Sequence, residues 1–192
     1  MHGVTGNQTG EHRGGDQVVD RFQSLMNAGV HINAFIESYT GITNEMIRTA
    51  PPAQAVMSDA ARFVGDAPMV AHNASFDRRF WSAELQRAGL PAAQPFACTM
   101  LLSRRLYPEA RSFRLGSLAA FHDLPSAGRA HRAMADAEVA ASLLGRIRRD
   151  FSRRWGVHEP HHDFLIKVQG TQRKAMPAAI QRYLESIGAA AV

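Results

Sequence analysis

Two stretches of this chain hold residues able to do chemistry together. In His72-Asn73-Ala74-Ser75-Phe76-Asp77 an aspartate falls just past the short apolar run Met69 to Ala71. In His131-Arg132-Ala133-Met134-Ala135-Asp136 a histidine precedes an aspartate at the start of a helical pattern. Carboxylates suit hard divalent cations, and Mg²⁺ usually takes one or two of them together with substrate phosphate. His131 sits beside the loop Ala127-Gly128-Arg129-Ala130, and a loop histidine of near-neutral pKa can take a proton from water. Two carboxylates and a histidine gathered by a fold are the ingredients of metal-assisted phosphodiester hydrolysis. Each residue also has a plain structural use: an aspartate in a first helical turn complements the helix dipole. The two spacings together carry more than either alone. Around Asp77, His72 and Asn73 are candidates for shaping a nucleotide pocket, and Phe76 for packing a base or the core.

Those residues must be positioned by elements, and the apolar pattern supplies them. Val18 to Met26 is predicted as a strand anchored by Val18, Phe22 and Leu25. Pro51-Pro52 opens a helix that Gly65 stops, with Val56, Met57, Ala60, Phe63 and Val64 on one side. Met69 to Ala71 is a short buried strand, and a helix begins at Ser75 or Phe76 with Phe76, Phe80, Trp81 and Leu85 inward. Phe96 to Cys98 is a further strand; 101–106, 115–121 and 133–151 are helices. Strands alternating with helices imply an α/β domain whose site gathers at strand ends. After Trp155 the texture becomes polar and turn-like, then Pro177 starts a last helix with Ile180, Leu184 and Ile187 at docking spacing.

Composition bounds the answer. The 192 residues fit one domain plus a tail. No apolar run approaches the roughly 20 residues of a membrane span, and the N-terminus has no apolar signal core. The single Cys98 suits a reducing cytoplasm and is expected as a small buried hydrophobe. Residues 1–144 hold 13 Lys plus Arg and 13 Asp plus Glu, while 145–192 hold 9 and 4, so the net +5 lies wholly in the second part. Arg146, Arg149 and Arg153 recur at helical spacing, as a phosphate-attracting face or as a solvated one. His158, His161, His162 and Asp163 offer zinc-type ligands, but a polar linker is the expected use.

From about Val18 to Ile147 the chain resembles the DEDDh 3′–5′ exonucleases, the group that contains the proofreading epsilon subunit of DNA polymerase III. The resemblance rests on Tyr39-Thr-Gly-Ile-Thr43, Val70-Ala-His-Asn-Ala-Ser-Phe-Asp77, Cys98-Thr-Met-Leu-Leu102 and His131-Arg-Ala-Met-Ala-Asp136. It implies a ribonuclease H-like fold with a mixed central sheet, and two bound Mg²⁺ or Mn²⁺ ions. It further implies Asp77 as a ligand of the second ion, Asp136 as a ligand of the first, and His131 as the residue activating the attacking water. The implied partners are the 3′ end of a single-stranded nucleic acid and a DNA polymerase, with no membrane and a cytoplasmic location.

The family also needs an Asp-x-Glu on its first strand, and no candidate strand here carries one. Glu11 and Asp16, the only acids before Asp20, lie in glycine-rich polar sequence. The expectation is therefore an exonuclease-like α/β domain over 18–155 lacking its first two strands, a disordered Gly-rich segment over 1–17, and a helical tail over 156–192. A truncated exonuclease, a non-catalytic nucleic-acid-binding or polymerase-interacting relative, and an enzyme recruiting Glu11 or Asp16 are the three forms it can take.

Overall fold

In the computed structural model of this protein, residues 18–125 and 133–189 are described; the N-terminal segment 1–17 and His131 lie outside them. The order is α1 (Ala34–Thr40), α2 (Asn44–Thr49), α3 (Ala53–Val64), β1 (Met69–Ala71), α4 (Ala74–Arg87), β2 (Phe96–Cys98), α5 (Thr99–Leu106), α6 (Leu115–Phe121), α7 (Ala133–Trp155), α8 (His162–Gly170), a 3₁₀ turn (Arg173–Ala175) and α9 (Met176–Ala189). Local chemistry explains the limits. Pro52, fixed near helical φ, precedes α3, and Gly65 ends it at φ +54°, a conformation costly for a residue with a Cβ. Asn33 and Thr43 cap α1 and α2 by accepting from Ile36 and Met46 N–H.

The sheet among the described residues is a parallel pair, β1 beside β2, with Met69 opposite Phe96 and Ala71 opposite Cys98. Helix α4 is the crossover that parallel pairing requires. Both faces of the pair are covered. Phe96 and Cys98 point into a core built with Met57, Ala60, Val64, Trp81 and Leu85, whereas Ala97 points into a second core with Leu102, Leu143, Ile147 and Phe151. The period-2 alternation of a strand thus places successive β2 residues in different cores, and all three are buried.

Helices α8 and α9 belong to the second core. Phe164, Leu165, Val168, Met176 and Ile180 are buried with Leu143, Ile147 and Phe151. The polar run before them therefore leads into a helical tail that packs on the domain.

Two expectations are corrected. Among the described residues Val18 to Met26 has no ladder-paired strand: Phe22 has isolated-bridge geometry, and the following bridge is Asn27 with Pro52. A strand needs a run of paired backbone groups, which alternating apolar anchors alone do not supply. On α4, Phe76 and Phe80 face outward, 58% and 40% exposed. The inner stripe is Ala74, Trp81 and Leu85. Phe76 lies two positions from Ala74, roughly 200° around the helix.

Candidate active site

Strand β1 ends at Ala71, and the next residues turn the chain sharply into α4. Asn73 makes that turn in the left-handed region, φ 66° and ψ 45°. Asparagine tolerates this conformation better than most residues with a Cβ. Its carbonyl accepts from Phe76 N–H at 3.0 Å. Asp77 then falls in the first turn of α4, half-buried, where a carboxylate is favoured by the helix dipole.

His72 anchors the turn from within. Its Nε2 lies 2.9 Å from the Phe113 carbonyl and its Nδ1 2.9 Å from Thr99 Oγ1. A carbonyl oxygen only accepts, so Nε2 carries the proton. Burial holds the His72 pKa below its ordinary value, the Phe113 bond and the Asp77 charge opposing this more weakly. In the neutral ring Nδ1 is then the acceptor, and the Thr99 hydroxyl donates to it. Both ring nitrogens are spent inside the protein, so His72 holds the turn from within. Asn73 and Phe76 are exposed beside it.

Asp136 occupies the first turn of α7, also half-buried. Both α4 and α7 pack against β1, so the two aspartates start helices that share one strand. The single Asp-x-Glu spacing in the chain is Asp136–Glu138, and it lies on this helix rather than on a strand. Residues two apart on a helix do not face each other, and Glu138 is engaged by Arg21 Nε at 2.6 Å. Among the described residues no group of three or more His, Cys, Asp or Glu side chains gathers to hold a metal ion. The described donor set therefore does not fit a two-ion centre. The histidines after α7 disperse likewise: His158 Nδ1 meets Ser152 Oγ at 2.9 Å, His162 Nε2 meets the Pro95 carbonyl at 3.2 Å, and the His161 backbone N–H donates to Tyr183.

A polar cluster escaped the sequence reading. Asp150, 3% exposed, accepts from the Tyr107 hydroxyl and from Arg146 Nε, each at 2.9 Å. Burial alone would raise the Asp150 pKa, but the Arg146 and Tyr107 bonds outweigh it and hold it below its ordinary value. Burial and Asp150 together push the Tyr107 hydroxyl up. Arg146 thus turns toward Asp150, while Arg149 and Arg153 stay exposed. The i,i+4 spacing of Arg146 and Asp150 was the available signal.

The arrangement defines a class. The family model RNase_T, described as Exonuclease, matches residues 7–144, opening inside the segment expected to lie outside the fold. The chain belongs to this exonuclease family, a DEDDh-like 3′–5′ group resembling the epsilon exonucleases of polymerase III. It is similar to the PolC-type DNA polymerase III of Halalkalibacterium halodurans, 36% identical over 139 residues, which are 72% of this chain and 10% of that protein. The Bacillus subtilis protein of the same name is 34% identical over 158 residues, 81% of this chain and 11% of that one. This chain spans about a tenth of the length of the curated relatives it matches. Among solved structures, Exonuclease X in complex with 5′ overhanging duplex DNA superposes with a TM-score of 0.61 at 26% identity, covering 81% of this chain and 84% of that one. The ribonuclease H-like fold expected from the motifs is the one found. No helix among the described residues is long and apolar enough to cross a membrane.

Proposed function

We propose that this chain is a nucleic-acid 3′-end domain of the exonuclease family whose hydrolytic power is well below that of the family. The observation that carries this reading is the placement of Asp77 and Asp136 in the first turns of two helices packed on one strand. Asp77 follows the carboxyl end of β1, where α/β folds gather ligands. Here the exposed Asn73 offers an amide to a phosphate or a base edge, and the exposed Phe76 offers a ring on which a terminal base can stack. His131, outside the described residues, is the proposed proton acceptor. His72 holds the turn under them.

Exonucleases of this family work with divalent metal ions, and Mg²⁺ or Mn²⁺ is the proposed kind. Among the described residues Asp77 and Asp136 are the carboxylates offered to it, half of the four that the family resemblance implies. Few anionic donors mean weak ion binding, which is the ground for proposing low activity. The same donor count favours a second reading, a relative that binds nucleic acid or a DNA polymerase without cleaving. The PolC-type names of the relatives make a polymerase the proposed protein partner, and the cytoplasm the proposed location.

Binding separates these readings from an unrelated use of the fold. Fluorescence anisotropy with a 5′-labelled single-stranded oligonucleotide is expected to show tighter binding to a free 3′-hydroxyl end than to a 3′-phosphorylated one. Phe76→Ala is expected to weaken binding by about tenfold, the worth of one base stacked on an aromatic ring. Equal affinity for both ends, or none for either, would remove the 3′-end reading.

A further inference from the structure

The free edge of β2 is not left open. Parallel pairing with β1 directs Ala97 toward β1 and leaves the Phe96 carbonyl and the Cys98 N–H facing away. Both are taken by one side chain from α8. Cys98 N–H donates to Gln169 Oε1 at 2.6 Å, and Gln169 Nε2 donates to the Phe96 carbonyl at 3.2 Å. The primary amide acts here as a single peptide unit of a missing neighbouring strand. It satisfies backbone groups that would otherwise be buried without partners and closes an edge that could pair with another chain.

Gln169 is itself held from two sides. Arg105, on α5, donates to the Gln169 carbonyl at 3.1 Å and to the Thr171 carbonyl at 2.6 Å. Leu165 and Val168, on α8 with Gln169, are buried in the core shared with Leu102. The amide is therefore presented by a fixed backbone.

The residue after Cys98 is Thr99, wholly buried, whose hydroxyl meets His72 Nδ1. His72 in turn precedes the left-handed Asn73 and the first turn of α4. We propose that Gln169 is a positioning residue for the α4 site: its amide fixes the end of β2, which sets Thr99 against His72 and so holds the turn that presents Asn73, Phe76 and Asp77. The C-terminal helices then act on the nucleic-acid end without touching it. This inference rests on the proposed use of that turn, but the contact chain itself is tested separately.

The test follows His72 in the full chain by long-range ¹H–¹⁵N NMR of the imidazole, alongside anisotropy with a single-stranded oligonucleotide. Thr99→Val removes the hydroxyl at nearly constant volume and defines the His72 Nδ1 resonance without its donor. Thr99→Ser keeps the hydroxyl and is expected to keep the wild-type resonance and affinity. Gln169→Ala is expected to move Nδ1 toward the Thr99→Val position and to weaken oligonucleotide binding by about three- to tenfold, the worth of about one hydrogen bond. Gln169→Glu, of the same size, keeps the acceptor for Cys98 N–H but sets an oxygen against the Phe96 carbonyl. It is expected to shift Nδ1 in the same direction, and it replaces Gln169→Ala should that variant fail to fold. A His72 resonance unmoved by the Gln169 substitutions, while Thr99→Val moves it, would overturn the proposal. A wild-type chain that binds no oligonucleotide would overturn the 3′-end reading, and the His72 resonance would still decide the contact chain.

Discussion

At the scale of single residues, the buried ionisable groups predict acid sensitivity. Burial holds His72, His122 and His162 below the ordinary histidine value of 6.5. A group whose folded pKa is depressed binds its proton more readily unfolded, so its share of stability is intact above the unfolded value and lost as pH falls through the folded one. Urea unfolding is therefore expected to show stability declining as pH falls below 6.5. Asp150 adds a second limb in the same direction, below its ordinary value of 3.8, because the Arg146 and Tyr107 bonds outweigh the burial that would raise it. Asp150→Asn is expected to cost about 2 kcal/mol at neutral pH, since Arg146 and Tyr107 then face a neutral partner. The difference from wild type should shrink as the wild-type carboxyl protonates. A constant difference across that range would deny Asp150 its charge.

At the scale of elements, α8 and α9 carry part of the domain's stability. Phe164 is 2% exposed, stacked on Tyr183 with ring centroids 4.1 Å apart and set edge-on to Phe151 at 5.2 Å. Phe164→Ala is expected to cost about 3–5 kcal/mol by cavity formation, whereas Ile187→Ala, on the 40% exposed face of α9, is expected to stay within about 0.5 kcal/mol. Comparable, small effects from both would mean that these helices are an appendage.

What the sequence shows of these elements follows from how local their causes are. Helix α3 is legible because Pro52, Gly65 and one apolar stripe act within the segment itself, and α7 because its apolar spacing persists from Ala133 onward. Helices α1 and α2 bury no residue, so no apolar stripe announces them; their caps are the only local signal. Helix α8 is hidden by His158 to Asp163, whose polarity reads as a turn although the residues that follow are core. The α4 error has the same origin. The apolar pattern alone directs four side chains inward, but the layer above β1 admits Trp81 and Leu85 and leaves Phe76 and Phe80 largely exposed. The proposed site residues Asp77 and Asp136 come from motif spacing. The roles of Thr99 and Gln169 do not, because a hydroxyl and an amide acquire them only when β2, α5 and α8 meet.

At the scale of the whole molecule, the proposed low activity sets this chain against its family. The exonuclease model matches most of the chain, yet no described group of three potential ligands gathers for a metal ion. General-base help from a histidine is worth on the order of 10²–10⁴-fold, small beside accelerations reaching about 10²¹-fold for phosphate-monoester hydrolysis. The proposed low activity rests on this comparison: general-base help from His131 would not make up for a carboxylate set limited to Asp77 and Asp136. The direct measurement is degradation of a 3′-labelled single-stranded oligonucleotide in Mn²⁺ by the 192-residue chain beside Asp136→Ala. The expected result is little or no cleavage by either protein. Robust cleavage by the wild-type chain, abolished in Asp136→Ala, would contradict the account and point to Glu11 or Asp16 as carboxylates that complete the site.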